Sequence, residues 1–289
     1  MNKNIEICKL CLKNKVLVDS HIIPKFIFKW IKETSATGYL RFSQKKNQRA
    51  QDGVKCKLLC SECESILSKF EGEFANKIFY PYVENPKVVA RYGSWLLKFI
   101  VSLTWRSLLF AKDIKTCPFT EEQIKSSELA LEIWRKFLLG EVDNPGIYEQ
   151  HFIPFDEIID AENVDLPSNI NRYLLRGTQI DCIANKDQAF SYVKIPFFAF
   201  FGAIMIKKKK WKSTLVHVNN GLLHPKTYSL PGEVSSYILE ASCKTERMEG
   251  DISLNQKAKI EKDINKNLEK FQSSHTFSAM KADIVLSRK

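Results

Sequence analysis

The chain has 289 residues, 44% of them hydrophobic and 27% charged, and its 19 Phe, 9 Tyr and 5 Trp supply ample core material. That excludes a wholly disordered chain, and the length allows one large domain or a small one beside a larger neighbour. A formal net charge of +11 and a sequence pI near 9.1 favour a polyanionic partner without choosing one.

The opening segment, Met1 to Cys8, lacks the apolar core and small-residue cleavage site of a secretory signal, so a cytoplasmic protein is expected. In that compartment a Cys-x-x-Cys pair reads as metal-binding rather than as a disulfide. Two pairs occur, Cys8-Lys9-Leu10-Cys11 and Cys60-Ser61-Glu62-Cys63. Each offers two thiolates at the bite of tetrahedral zinc, so Cys8, Cys11, Cys60 and Cys63 are expected to hold one structural zinc ion. Cys56 is an alternative to one member of the second pair, whereas Cys117, Cys182 and Cys243 read as isolated packed or part-exposed thiols.

Between the pairs lies Asp19-Ser20-His21-Ile22-Ile23-Pro24, followed by a basic stretch. Arg41, Lys45, Lys46, Arg49, Lys55 and Lys57 stand against Asp52 alone, with Tyr39 and Phe42 near by. Such cations gain affinity for a phosphate backbone by releasing its counterions; the alternative is a solvated loop. After Cys63, apolar residues recur at four-residue steps (Ile66, Phe70, Phe74, Ile78) and predict a helix. With Phe70, Phe74 and Phe79 it is too apolar to stand free, so intimate packing on the following region is expected.

Pro81 and Pro86 suggest a boundary, giving a module over 1–86 and a second region over 87–289. Helices are predicted over about 94–140. Trp95 to Ala111 is apolar, but Ser94, Lys98, Ser102 and Arg106 form one polar stripe, which suits a buried core helix rather than a membrane span. Thr120 and Gln123 form a capping box for a second helix that ends at Gly140. Strands are predicted over about 172–218, from Tyr173–Ala184, Phe190–Ile195, Phe197–Ile206 and Thr214–Val218, closed by Asn219-Asn220-Gly221. Without helical crossovers they predict an antiparallel sheet. Lys208 and Trp211 are candidate nucleic-acid contacts, a cation beside a ring able to stack on a base. Helices return over about 232–272, and the last dozen residues are expected to be loose. The class is α+β with a small metal-bound module in front, and a protein partner is open to the 87–289 region.

The N-terminal motifs resemble the HNH (ββα-metal) endonuclease family. The match rests on Cys8-x-x-Cys11, Ser20-His21-Ile22-Ile23-Pro24 and Leu58-Leu59-Cys60-Ser61-Glu62-Cys63-Glu64, within about residues 5 to 80. The resemblance implies a treble-clef or ββα zinc module, with His21 as the general base that activates water. It also implies a magnesium or manganese ion that polarises the scissile phosphate. The family often has an aspartate before that histidine and a histidine after the second cysteine pair; this chain has Ser20 and Glu64. Asp19 and Glu64 are therefore the candidate ligands of the catalytic cation, and Glu64 a candidate catalytic residue, while Asp52 is the candidate counterpart of the family's middle asparagine. The implied function is a metal-dependent endonuclease, DNA being the favoured substrate, as in modules that cut foreign DNA in bacterial defence. The alternative is a non-catalytic zinc-binding module that binds nucleic acid or a protein partner.

Overall fold

The computed structural model describes residues 5–42, 45–86, 89–161, 164–207, 211–223 and 228–288; Lys208 lies outside them. The N-terminal sheet has the order β1 (Ile5–Ile7), β2 (Asn14–His21), β3 (Lys55–Cys60), all antiparallel. Ile22 and Ile23, both buried, carry the chain from β2 into the core, and Pro24 caps α1 (Lys25–Glu33). Helix α2 (Ser61–Phe74) follows β3 directly, with Glu62 and Glu64 in its first turn, where the helix dipole favours negative charge. A π-helical turn (Ala75–Phe79) and α3 (Tyr80–Glu84) prolong it, and Pro81 is tolerated because the first turn of α3 needs no N–H there.

The second region is built on a four-stranded antiparallel sheet of order β5 (Gln150–Pro154), β8 (Phe198–Ile206), β7 (Gln188–Ile195), β6 (Gln179–Ala184). Helices α4 (Ser94–Asp113) and α5 (Glu121–Leu139) cover one face. Ser191 donates to the Thr104 carbonyl, and Gly202 lets Trp134 and Thr104 close on β8. The Thr120–Gln123 capping box and a left-handed Gly140 bound α5. On the opposite face lie α6 (Ile170–Arg176) and α7 (Gly232–Gly250), the latter through a Tyr192–Tyr237 ring contact. β4 (Ala90–Gly93) pairs with β9 (Asn220–Leu223), and α8 (Leu254–Lys266), α9 (Leu268–Gln272) and α10 (His275–Leu286) complete the chain. Helix α4 is long and apolar enough to cross a bilayer, yet 72% of that stretch is buried within the fold.

Four expectations are corrected. Tyr173 belongs to α6, not to a strand: buried Lys194 donates to the Leu174 and Gly177 carbonyls and fastens that helix to the sheet. Thr214–Val218 is not a regular strand, meeting β5 only at an isolated bridge, and Asn220-Gly221 opens β9. Of the last dozen residues, 278–286 belong to α10, where the buried Asp283 accepts from the Asn171 N–H and the Arg172 guanidinium. Cys117 and Cys182 are joined in a disulfide, with their Cα atoms 5.0 Å apart.

The core runs without a break across residue 86. Phe74 of α2 stacks on Phe99 of α4 at 4.1 Å and meets Phe152, Phe198 and Phe200 of the large sheet edge-on. Deleting its ring removes both the buried area and these aromatic pairs. Phe74→Ala should therefore cost about 3–5 kcal/mol. Urea unfolding followed by tryptophan fluorescence checks this; a loss below about 1 kcal/mol would mean the two regions do not share this core.

Candidate functional site

Cys8 and Cys11 sit in the turn between β1 and β2. Cys8 accepts there from the Leu12 N–H and donates to the Lys13 carbonyl through their backbones, with Leu12 in the left-handed region at φ 59°. Cys60 ends β3 and Cys63 lies in the first turn of α2. The Lys9 N–H donates to the Leu58 carbonyl and the Cys60 N–H points at the Cys8 sulfur, so the turn is clipped against β3. All four Sγ atoms lie within 4.8 Å of one another, and three of the four cysteines are buried. Cys56 is outside the group. Burial raises the Cys8 thiol, but the N–H groups of Cys11, Cys60 and Leu10 outweigh it and lower its pKa to about 7, whereas burial drives Cys63 strongly upward. Four thiolates cannot share so small a volume without a cation, and the group can hold one metal ion.

His21 is the last residue of β2, four residues beyond Leu17, which pairs with Cys60 across the hairpin. Its Nε2 lies 3.0 Å from Asp52 Oδ1, which also accepts from the Gly53 N–H, while Lys55 reaches Asp52 Oδ2 at 2.6 Å. A carboxylate on Nε2 favours the tautomer with its proton there and leaves Nδ1 as the basic nitrogen. Burial acts to raise the Asp52 pKa, but Lys55, His21 and the Gly53 N–H hold it below the usual carboxylate range. Gly53 is required: a Cβ there would fall 2.0 Å from the Phe28 ring of α1. The His21 carbonyl accepts from Arg106 at 2.9 Å. Arg106, fully buried on α4, also pairs with Glu71 of α2 at 2.7 Å, so its place in the polar stripe of that helix is explained by the site it supports.

The carboxylates expected to share a catalytic cation do not converge. Ser20, fully buried, donates to Glu64 at 2.7 Å, whereas Asp19 pairs with Lys57 across the exposed side of the hairpin at 2.8 Å. Neighbouring residues of a strand face opposite sides, so Asp19 and Glu64 are separated by β2 itself. Among the described residues the four cysteines are the only group of three or more such ligands that comes together.

The basic stretch is also less free than its composition implies. Lys46 pairs with Asp251, Arg49 with Asp263, Lys55 with Asp52 and Lys57 with Asp19, and Arg41 reaches Gln256; Lys45 is exposed. Trp211 is not a free stacking platform: His151 lies on one face at 4.2 Å, and Phe190 and Phe201 pack against its ring. Comparison with known protein families, curated proteins and solved structures finds no match to this chain.

A carboxyl with a depressed folded-state pKa contributes stability that is complete above its unfolded value, near ~3.9, and is lost only as pH falls through the lower folded value. Asp52→Asn should therefore cost about 1–2 kcal/mol at neutral pH, and the gap from wild type should not narrow between pH 8 and 5. Urea melts extended down to pH 3 decide it: the gap should begin to narrow only below ~4, and a gap unchanged down to pH 3 would mean that folding leaves Asp52 with the pKa of an exposed aspartate.

Proposed function

We propose that this chain is a nucleic-acid phosphodiesterase of HNH type whose ββα module is organised by one structural zinc ion on Cys8, Cys11, Cys60 and Cys63. The observation that carries this reading is the His21–Asp52 pair at the end of β2, in a hairpin followed directly by the cysteine-capped helix α2. Zinc suits an all-cysteine set, and its binding energy adds to folding. With Asp52 on Nε2, His21 takes a proton from water at Nδ1 as the water oxygen attacks phosphorus and the P–O ester bond breaks, the leaving alkoxide taking a proton from solvent. Asp52 stabilises the resulting imidazolium, and Lys55 brings positive charge beside the phosphate. The divalent cation implied by the resemblance would find Glu64 on one side of β2 and Asp19 on the other; this ligand pair does not fit one ion, and no step is assigned to it.

A second reading is a non-catalytic zinc module that binds nucleic acid, favoured by the same separation of Asp19 and Glu64. Plasmid and single-stranded DNA incubated with magnesium or manganese separate the two. On the first reading, wild type cuts, and His21→Ala lowers the rate by about 10²–10⁴-fold in a folded protein, with a smaller loss for Asp52→Asn. If wild type leaves both substrates intact under all these conditions, the catalytic reading is wrong and the binding module takes its place.

A further inference from the structure

The stretch 39–50 carries four cations and no acidic residue, yet two of them, Lys46 and Arg49, are held against the arm formed by Asp251 and α8. Four polar ties hold them together. Lys46 meets Asp251, Arg49 meets Asp263, Arg41 donates to Gln256, and the Ser253 N–H donates to the Asn47 side chain. Helix α8 itself has no fully buried residue: Ile260 and Ile264, on the face that carries Gln256 and Asp263, are only half-buried, so the helix is held less firmly than one with a buried apolar face. It also presents Lys257, Lys259, Lys262 and Lys266 to solvent, which adds to the positive potential of the loop.

Exposed ion pairs of this kind are individually weak and are screened by salt. A polyanion competes for the same cations with many phosphates at once, and gains from counterion release on every contact. We propose that the 39–50 loop is a polyanion-binding surface latched by α8, in which phosphate groups replace Asp251 and Asp263 on Lys46 and Arg49 and α8 leaves the loop. This rests on the reading of the loop as a nucleic-acid contact and adds its regulation: the arm restricts access until a polyanion of sufficient length arrives.

Inorganic polyphosphate tests the latch without involving cleavage, because it offers the charge of a nucleic acid with no base and no nucleoside ester. Its affinity is measured at ~0.1 M salt for wild type, for Asp251→Asn/Asp263→Asn, and for Glu261→Gln/Glu269→Gln, which removes equal charge from α8 and the adjoining α9 without removing a partner of the loop. The latch predicts about fivefold or greater tightening for the Asp251/Asp263 variant and at most about twofold for the control. It also predicts faster amide exchange over 254–266 when wild type binds polyphosphate. Equal affinities for the two double variants, or failure of every form to bind, would overturn it. The nuclease reading is judged separately by the His21→Ala comparison, so a working latch in a protein that does not cut remains a distinct result.

Discussion

The convergence of four cysteines from two segments 49 residues apart is the constraint on which the N-terminal half depends. It fixes where β3 ends and α2 begins, and through the Lys9 and Cys60 N–H groups it sets the β1–β2 turn against β3. Both consequences reach the histidine. The hairpin delivers His21 to the end of β2, and the helix brings Glu64 to Ser20 and Glu71 to Arg106. The sheet of this module is too small to bury much by itself, so a neighbour must supply what its own core lacks.

The neighbour does so in two ways. Phe74 and Phe79 enter the aromatic core of the large sheet, which makes one hydrophobic body of the two regions. Three arginines from successive helices then donate to backbone carbonyls of the module: Arg106 to His21, Arg135 to Leu10 and Arg176 to Ile31. Arg176 also lies over the Trp30 ring at 4.7 Å, and its burial lowers its pKa to about 10. A guanidinium serves here because its planar fork satisfies several acceptors at once, whereas a lysine offers a single point of charge. The region beyond residue 86 is therefore part of what holds the site.

What was legible in the sequence was local. Two thiols within four residues, the Thr120–Gln123 box and the glycine at 140 each express a geometry closed within one turn of chain, and the structure has all three. What was not legible depends on distant partners. Asp52, named through the resemblance but not as the partner of His21, lies 31 residues from it, and the carboxylates on Lys46 and Arg49 come from 205 and 214 residues further along. No spacing announces such pairs, and so the basic stretch read as open surface. Cys117 and Cys182, 65 residues apart, escaped notice for the same reason. The α6 error was of another kind: Tyr173, Leu174 and Leu175 suit a strand by composition, but Lys194 and Asp283 capture that stretch as a helix, and tertiary contacts override weak propensity.

X-ray absorption at the zinc edge on the purified protein, with the metal counted per chain, tests the account at its base. The account predicts one zinc per chain with four sulfurs at ~2.3 Å and no lighter atom in the coordination shell. A chain without stoichiometric metal, or a shell containing nitrogen or oxygen, would contradict the four-cysteine centre and remove the support on which the placing of His21 depends.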